Sequence, residues 1–194
     1  MPRCRHPLFA DLEVEHEATA IFADYWASLP RPDLVPARAD FDPVAVPAIL
    51  PTFVIHELHA PSDIRIRLAG TEIREHYGVE ITGLNYLDFV APERQATASR
   101  AIFLVCEQPC GMLVRLSSRT AAGSVMVNES LALPMRDDDG RIRLVYYQSN
   151  SRPMLNRDPG EDPLLRHELV GRHFLDIGAG VPDYRDESDL LQRL

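Results

Sequence analysis

Aromatic and polar side chains in the middle of the chain have the composition of a small-molecule site. A wall of aromatic rings with a few polar tips suits a ligand cavity, although it suits a plain core equally well. Tyr86 and Tyr146 are the better ligand candidates, because a buried tyrosine hydroxyl needs a hydrogen-bond partner. The predicted ligand-binding residues are Tyr77, Tyr86, Phe89, Phe103, Tyr146, His76 and Glu129.

Glu129 interrupts an apolar row. In the longest predicted strand, alternate residues between Val125 and Leu133 share one face, and all of them except Glu129 are apolar. A buried carboxylate is costly unless it is paired, which makes it a candidate functional group. If Glu129 points inward, we expect it to orient a ligand that carries a donor or a cation. The alternatives are that the strand turns it outward, or that Arg67 or Arg115 neutralises it.

Three of the seven histidines, His56, His59 and His76, fall near the predicted site. Imidazole is a common ligand for haem and other metal centres. Strand alternation puts His56 and His59 on opposite faces, so the two cannot readily chelate one metal, and we expect surface or half-buried positions for both. His76 alone stays a weak ligand candidate. The sequence therefore predicts no metal site, and it leaves the identity of any cofactor unknown.

No set of residues in the chain amounts to an active site. The sequence has no nucleophile elbow, phosphate loop or paired acid motif. A glycine-rich run at residues 174–180 resembles a motif of methyltransferases that use S-adenosylmethionine. That motif works only after the first strand of a parallel α/β sheet, and few residues follow it here. We therefore expect a protein without enzymatic activity and without catalytic residues.

Charge and length exclude several classes of protein. A formal net charge of -9 repels phosphate backbones, and the arginines are scattered among acids, so we expect no nucleic-acid partner. No run approaches the roughly 18 apolar residues of a membrane span, and the N-terminus lacks the apolar region of a signal peptide. We expect no membrane contact and a cytoplasmic location. A chain of 194 residues suits one hydrophobic core.

The elements that must position the candidate residues begin with an amphipathic helix at residues 13–29. Its apolar residues recur at steps of three and four and form one stripe, which Trp26 widens. Such a stripe packs either onto the core or against a second copy of the chain. We expect a homodimer through residues 13–29. The stripe consists of Val14, Ala18, Ile21, Phe22, Tyr25 and Leu29.

The remaining elements are two groups of strands with helices between them. Period-two patterns and turn residues predict a hairpin, then short helices, a longer helix that begins at Pro92, and an antiparallel meander. If these strands form one sheet, the hairpin and the meander meet edge to edge, and the helices cover one face. The predicted strands are 52–58, 63–69, 111–117, 124–135 and 141–148, and the predicted helical segments are 43–50, 71–77, 83–90 and 92–107.

Several short motifs resemble those of a PAS domain, in particular the divergent bacterial family of short stand-alone PAS-like proteins. They are Trp26 in the leading helix and residues 40–43, 49–51, 67–71, 77–78, 81–83 and 133–134. The resemblance implies an α+β fold with a five-stranded antiparallel sheet and short helices on one face. It also implies a pocket between sheet and helices, in which PAS domains often hold a small molecule.

These observations predict a regulatory sensor or signalling module that binds a small molecule or a partner protein and acts on a separate output protein. The alternatives are a ligand-free dimerisation or adaptor domain and, third, a small enzyme of a cone-shaped α+β fold. We divide the chain into an N-terminal helix and linker at 1–40, a PAS-like domain at 41–150 and a C-terminal tail at 151–194, which docks locally at most.

Overall fold

A computed structural model of the chain describes residues 2–120, 123, 125–151 and 164–184. In this part of the chain, six antiparallel strands form one sheet in the order β2-β1-β5-β4-β3-β6. The strands are β1 (Phe53–Ala60), β2 (Asp63–Ala69), β3 (Cys110–Thr120), β4 (Val125–Arg136), β5 (Ile142–Ser151) and β6 (Leu164–Asp176). The α-helices are α1 (Glu17–Ser28), α2 (Thr71–Tyr77) and α3 (Pro92–Glu107), and 3-10 helices cover Pro7–Phe9, Arg38–Asp40, Pro43–Ala45, Pro47–Thr52 and Tyr86–Phe89.

The predicted hairpin and meander close into one sheet. β1 pairs with β2 on one side and with β5 on the other, both times antiparallel, so the two separated β segments meet edge to edge as expected. The α+β class and the five predicted strands are confirmed. This pairing matters for function because it places residues from both ends of the predicted domain on the same two sheet faces.

The strand count differs from the prediction. β6 lies in the segment that we predicted to be a tail, and it pairs with β3 along its whole length, from Asp176 opposite Cys110 to Leu164 opposite Thr120. The pattern was missed because β6 is an edge strand, and of its residues 169–176 only Gly171 is buried. Val170 and His173 are exposed, and Arg172 interrupts the apolar residues that face the helices. A strand of this kind resembles a polar connecting segment in its sequence.

Two of the predicted helices match the structure at both ends. α2 ends at Gly78, whose φ of 72° is left-handed and favours glycine, and the Gly78 amide donates to the carbonyls of Arg74 and Glu75. α3 begins with Pro92 at its first position and ends at Glu107. Among the described residues, no helix combines the length and the apolar character that crossing a bilayer requires.

Gly70 fixes the position of α2. A Cβ atom at this position would lie 2.2 Å from the carbonyl oxygen of Leu50 and 2.3 Å from that of Pro51, so only glycine fits. The Gly70 amide also donates to the carbonyl of Phe53 at 2.8 Å. Because of these close carbonyls and this hydrogen bond, the main chain between β2 and α2 lies directly against the main chain of the Pro47–Thr52 helix and the residue that follows it.

Hydrophobic clusters cover both faces of the sheet. Strand alternation sends Leu131 and Leu133 of β4 toward α1, while Ala132 between them faces α3. On the α1 face, the cluster is completed by Phe22 and Trp26, which are fully buried. The sheet therefore separates a layer built around α1 from a layer built around α2 and α3. We call these two sides the α1 face and the α3 face.

α1 belongs to the chain's own core. It begins at Glu17, later than predicted, and its fully buried side is centred on Phe22, Ala23 and Trp26, while Ile21 and Tyr25 are half-buried. The indole Nε1 of Trp26 donates to the carbonyl of Pro134 at 3.1 Å. The structure thus shows that this apolar stripe packs onto the chain's own core. A homodimer through residues 13–29 stays a prediction, and it would need the outer side of the helix.

Candidate functional site

A cavity lies on the α3 face, between the sheet and a wall formed by α2, the Tyr86–Phe89 helix and α3. Its volume is about 560 Å³, within the range of small-molecule sites. Strand alternation supplies an apolar floor that includes Ile66, Met112 and Val114. Ala98 and Ala101 of α3 also line the cavity, and their small side chains leave space above the floor.

A histidine between two tyrosines forms one wall of the cavity. The ring of His56 lies 4.7 Å from the ring of Tyr86 and 4.6 Å from that of Tyr147, measured between centroids. His56 is 5% exposed and Tyr147 is 8% exposed. Among the residues that the structure describes, nothing forms a hydrogen bond with His56 Nδ1 or with the Tyr147 hydroxyl. Two buried polar atoms of this wall therefore lack a hydrogen-bond partner in the described part of the chain.

Burial determines the protonation state of this wall. It lowers the pKa of His56 to about 3, so the imidazole is neutral at physiological pH. Burial also raises the pKa of Tyr147 well above its usual value, with a smaller contribution from Tyr86. Both side chains are thus uncharged, and each can donate or accept a hydrogen bond.

The end of the cavity formed by β4 and β5 is polar. The register of these strands sets Asn128 opposite Ser151 and Ser130 opposite Ser149, and all four residues line the cavity. The hydroxyl oxygens of Ser130 and Ser149 are 2.7 Å apart and share a hydrogen bond. Small hydroxyl and amide groups therefore continue the uncharged polar surface that begins at His56.

A chain of hydrogen bonds leads from the cavity to α1. Thr52 and Asn150 line the cavity, and the Thr52 hydroxyl donates to Asn150 Oδ1 at 3.1 Å. Asn150 Nδ2 donates to the hydroxyl of Thr19 in the first turn of α1 at 3.0 Å, and that hydroxyl donates to Glu129 at 3.2 Å. The polar groups of the cavity are thus linked through the sheet to the start of the helix on its other face.

Glu129 holds the segment that leads into α1. Its carboxylate is 1% exposed, accepts from the Glu15 amide at 3.0 Å and 3.1 Å, and forms an ion pair with Arg115 at 3.2 Å. Arg115 also pairs with the Glu15 carboxylate at 3.4 Å. Every oxygen of this buried carboxylate therefore has a donor, which is the condition for burying a charge.

A family model described as PAS domain matches residues 14–146, well over half of the chain. The chain belongs to the PAS domain family. PAS domains are typically sensory signalling domains rather than enzymes, and the match includes α1, the first four strands and the first half of β5. No curated protein sequence matches the chain.

Solved structures with a similar fold include light-oxygen-voltage domains. One, studied with a flavin analogue, is 20% identical over 61% of this chain and 87% of its own, with a TM-score of 0.44. The light state of the blue-light photoreceptor Aureochrome1 LOV is 19% identical over 56% of this chain and 87% of its own, with a TM-score of 0.41. The Vibrio cholerae VqmA dimer, described in the absence of its target DNA, is 16% identical over 57% and 50%, also with a TM-score of 0.41.

Three of the predicted ligand-binding residues line the cavity of the PAS domain: Tyr77, Tyr86 and His76. Phe89 lies behind them, with its ring edge-on to Tyr77 at 5.0 Å. Phe103 packs against the same cluster but does not line the cavity. Contact with a ligand stays a prediction for all of these residues.

Glu129 and Tyr146 lie on the α1 face and do not line this cavity, so the structure does not bring them together with the other predicted residues. Glu129 is inward-facing, and the alternative in which Arg115 neutralises it is the one that the structure shows. Tyr146 packs against Phe41 and Phe53, at centroid distances of 5.1 Å and 5.3 Å. The neighbouring Tyr147 faces the cavity instead, because successive residues of a strand point to opposite faces.

The burial of His56 was underestimated by sequence reasoning. We expected it at the surface or half-buried, but it is buried in the cavity wall. The signal was present, because Val54 and Leu58 lie two residues to either side of it and share its face with Ile64 of β2. His59, in contrast, lies at the exposed end of β1, as expected. Within the described ranges, no cluster of three or more metal-binding side chains occurs.

Proposed function

We propose that this PAS domain is a regulatory sensor that takes a small molecule into its cavity and transmits occupancy to α1. The observation that carries the proposal is the pair of buried polar atoms, His56 Nδ1 and the Tyr147 hydroxyl, that lack partners in the described chain beside a space of about 560 Å³. A buried polar group without a partner costs about 1–3 kcal/mol. A ligand offsets this cost, whereas an adaptor domain with a filled interior would have no reason to bear it.

The hydrogen-bond chain supports transmission to α1. Ligand groups near Thr52 or Asn150 compete for the same donors and acceptors that reach Thr19 and Glu129. Because Glu129 anchors the entry to α1, a change in this chain alters how tightly the start of the helix is held. Occupancy of one sheet face thereby biases an element on the other.

The output is a separate protein that contacts the outer side of α1, where Ile21 and Tyr25 are partly exposed. A second copy of the chain is the first partner to test, by light scattering on a size-exclusion column with the full wild-type chain and with an Ile21→Lys variant of the outer side of α1. A cytoplasmic location and the lack of a nucleic-acid partner belong to the same proposal. Fractionation of expressing cells and nucleic-acid quantitation of the purified protein test them.

Native mass spectrometry of protein taken directly from expressing cells tests ligand uptake. We expect a bound mass that is released on denaturation. Ala98→Phe, which fills the cavity from α3, should abolish the bound mass while the protein stays folded. Ala96→Phe, on the exposed side of the same helix, is the matched control and should retain it. No bound mass in any form would favour the adaptor alternative.

A further inference from the structure

Strand β6 contributes a cation to the wall of the cavity. Arg172 lies opposite Val114 of β3 in the register of the two strands, and both residues line the cavity. Arg172 is half-buried as a residue, and its Nε atom is buried. The family match ends at residue 146, so this cation comes from a strand beyond the matched PAS region.

A tyrosine from the segment after β6 fixes the position of the Arg172 guanidinium. The Cζ atom of Arg172 lies over the ring of Tyr184, 5.6 Å from its centroid, which is the range of a cation–π contact. The Tyr184 hydroxyl donates to the carbonyl of Thr97 in α3 at 3.0 Å, and its ring lies edge-on to Phe174 of β6. Because α3 and β6 both hold this ring, the guanidinium is positioned before a ligand binds, which lowers the entropic cost of binding.

The positive charge of Arg172 acts on the aromatic wall of the cavity. Burial raises the pKa of Tyr86, and the charge of Arg172 opposes that increase. The same charge opposes the increase that burial causes in the pKa of Tyr147. Both tyrosines line the cavity. An anionic group of a ligand that lies near these rings is therefore stabilised by the same charge.

The other charged residues of the wall differ in their exposure to water. Glu72 and Glu75 are the acidic residues among the described lining residues, and both are exposed. Arg94 of α3 is half-buried, like Arg172. Water screens an exposed charge more strongly than a partly buried one. The two arginines therefore outweigh the two glutamates inside the cavity, which favours an anionic group over a cationic one.

We propose that the ligand is an organic acid whose carboxylate pairs with the Arg172 guanidinium and whose apolar body lies against Ile66, Met112 and Val114. The planar guanidinium offers parallel N–H groups that match the two oxygens of a carboxylate. The apolar floor of the cavity accommodates the remainder of such a molecule. The inference rests on the proposed sensor function and narrows it to a chemical class.

Two probes of the same shape test the charge of the ligand on the full chain: 2-naphthoate and 2-naphthamide. They share a ring system, and only 2-naphthoate is anionic at neutral pH. The protein is refolded from denaturant beforehand, so that no cellular ligand competes. Backbone amide shifts in two-dimensional NMR titrations give the affinity of each probe. We expect 2-naphthoate to bind roughly tenfold more tightly than 2-naphthamide, because hydrogen bonds between charged groups are the stronger ones.

Variants at Arg172 assign the contact. Arg172→Met removes the charge and keeps an apolar stem beside Tyr184, so it should weaken 2-naphthoate roughly tenfold and 2-naphthamide less than about twofold. Arg172→Lys keeps the charge and should restore part of the loss. Arg100→Met, on the exposed side of α3, is the matched control and should change neither affinity. A purely structural role of Arg172 would weaken both probes equally, and the spectrum of each variant shows whether it is folded.

The outcomes separate the two proposals. Equal affinity for the two probes, or acid binding that ignores Arg172→Met, overturns the chemical class while leaving a small molecule in the cavity. A loss of acid binding in Arg94→Met alone overturns the assignment to Arg172. The molecule released from wild-type protein after native mass spectrometry should itself carry a carboxylate, and an uncharged molecule would overturn the class. If neither probe binds and wild-type protein carries no bound mass, the sensor function and the chemical class both fail.

Discussion

The two faces of the sheet are made of the same strands but differ in how their buried polar groups are paired and in how completely they are filled. On the α1 face, the buried charge of Glu129 is fully paired and the aromatic cluster around Phe22 and Trp26 is filled. On the α3 face, the polar atoms of His56 and Tyr147 lack partners within the described chain, and an open volume remains. The difference indicates that the α1 face contributes more to stability than the α3 face does.

The largest expected difference between a variant and its matched control comes from breaking the buried ion pair of the α1 face. Arg115→Met leaves the Glu129 carboxylate buried without its cation, and we expect the free energy of unfolding to fall by about 3 kcal/mol in urea titrations. Arg67→Met is the matched control on the partly exposed pair with Glu57, and it should cost less than about 1 kcal/mol. Equal losses in the two variants would contradict the conclusion that burial makes the Arg115–Glu129 pair the costlier one to break.

A second comparison removes the same side chain from each face. Ile49 is fully buried on the α1 face, and Ile66 lines the cavity on the α3 face. We expect Ile49→Ala to cost about 4 kcal/mol and Ile66→Ala about 2 kcal/mol, because the second site already lacks packing partners on one side. Thermal and urea unfolding measure both values. The interpretation fails if Ile66→Ala is the more destabilising change.

The third prediction concerns the loss of stability at acidic pH. Because the folded-state pKa of His56 is about 3 and its unfolded value is about 6.5, the unfolded chain binds the proton more tightly. The stability contributed by neutral His56 is therefore complete above pH 6.5 and is lost as pH falls toward 3, by about 2 kcal/mol at pH 5. Urea titrations at pH 7.5 and pH 5 should show a smaller acid loss for His56→Phe than for wild type. His59→Phe should retain the full acid loss.

The smallest expected effect compares two buried hydroxyls. Tyr147→Phe removes one without a partner in the described chain, so the free energy of unfolding of the ligand-free protein should rise by up to about 1 kcal/mol. Thr19→Val removes one that bonds both Asn150 and Glu129, and we expect a loss of about 1–2 kcal/mol. Protein should be refolded from denaturant before measurement, so that no cellular ligand remains. A stabilised Thr19→Val would reverse the assigned roles of the faces.

Local sequence signals were sufficient for most of the elements. Proline at the start of α3, glycine at the end of α2 and alternation in β1 and β2 each have a local physical cause, and those elements appear where they were predicted. β6 was not predicted, because an edge strand with polar positions lacks a strong period-two pattern. Its membership in the sheet depends on pairing with β3, and every residue of a β3–β6 pair is more than 40 residues from its partner in sequence.

The site was harder to predict than the fold because both sheet faces are buried. Residues 144–148 of β5 are buried without interruption, so alternation identifies which residues share a face but not which face holds the cavity. Tyr146 and Tyr147 were therefore indistinguishable by pattern, and Glu129 could be recognised as buried but not assigned to a layer. That assignment requires knowing where α1 and α3 pack.

The close approach at Gly70 has a consequence for the shape of the cavity. Since no side chain fits between Gly70 and the Leu50 and Pro51 carbonyls, the spacing of α2 from the Pro47–Thr52 helix is dictated by main-chain atoms. Substitutions at Glu72 or Glu75 of α2, which line the cavity, would change the polarity of its wall and leave this spacing unchanged. A wider cavity on this side would need a rebuilt connection between β2 and α2, so its width is more tightly constrained than its polarity.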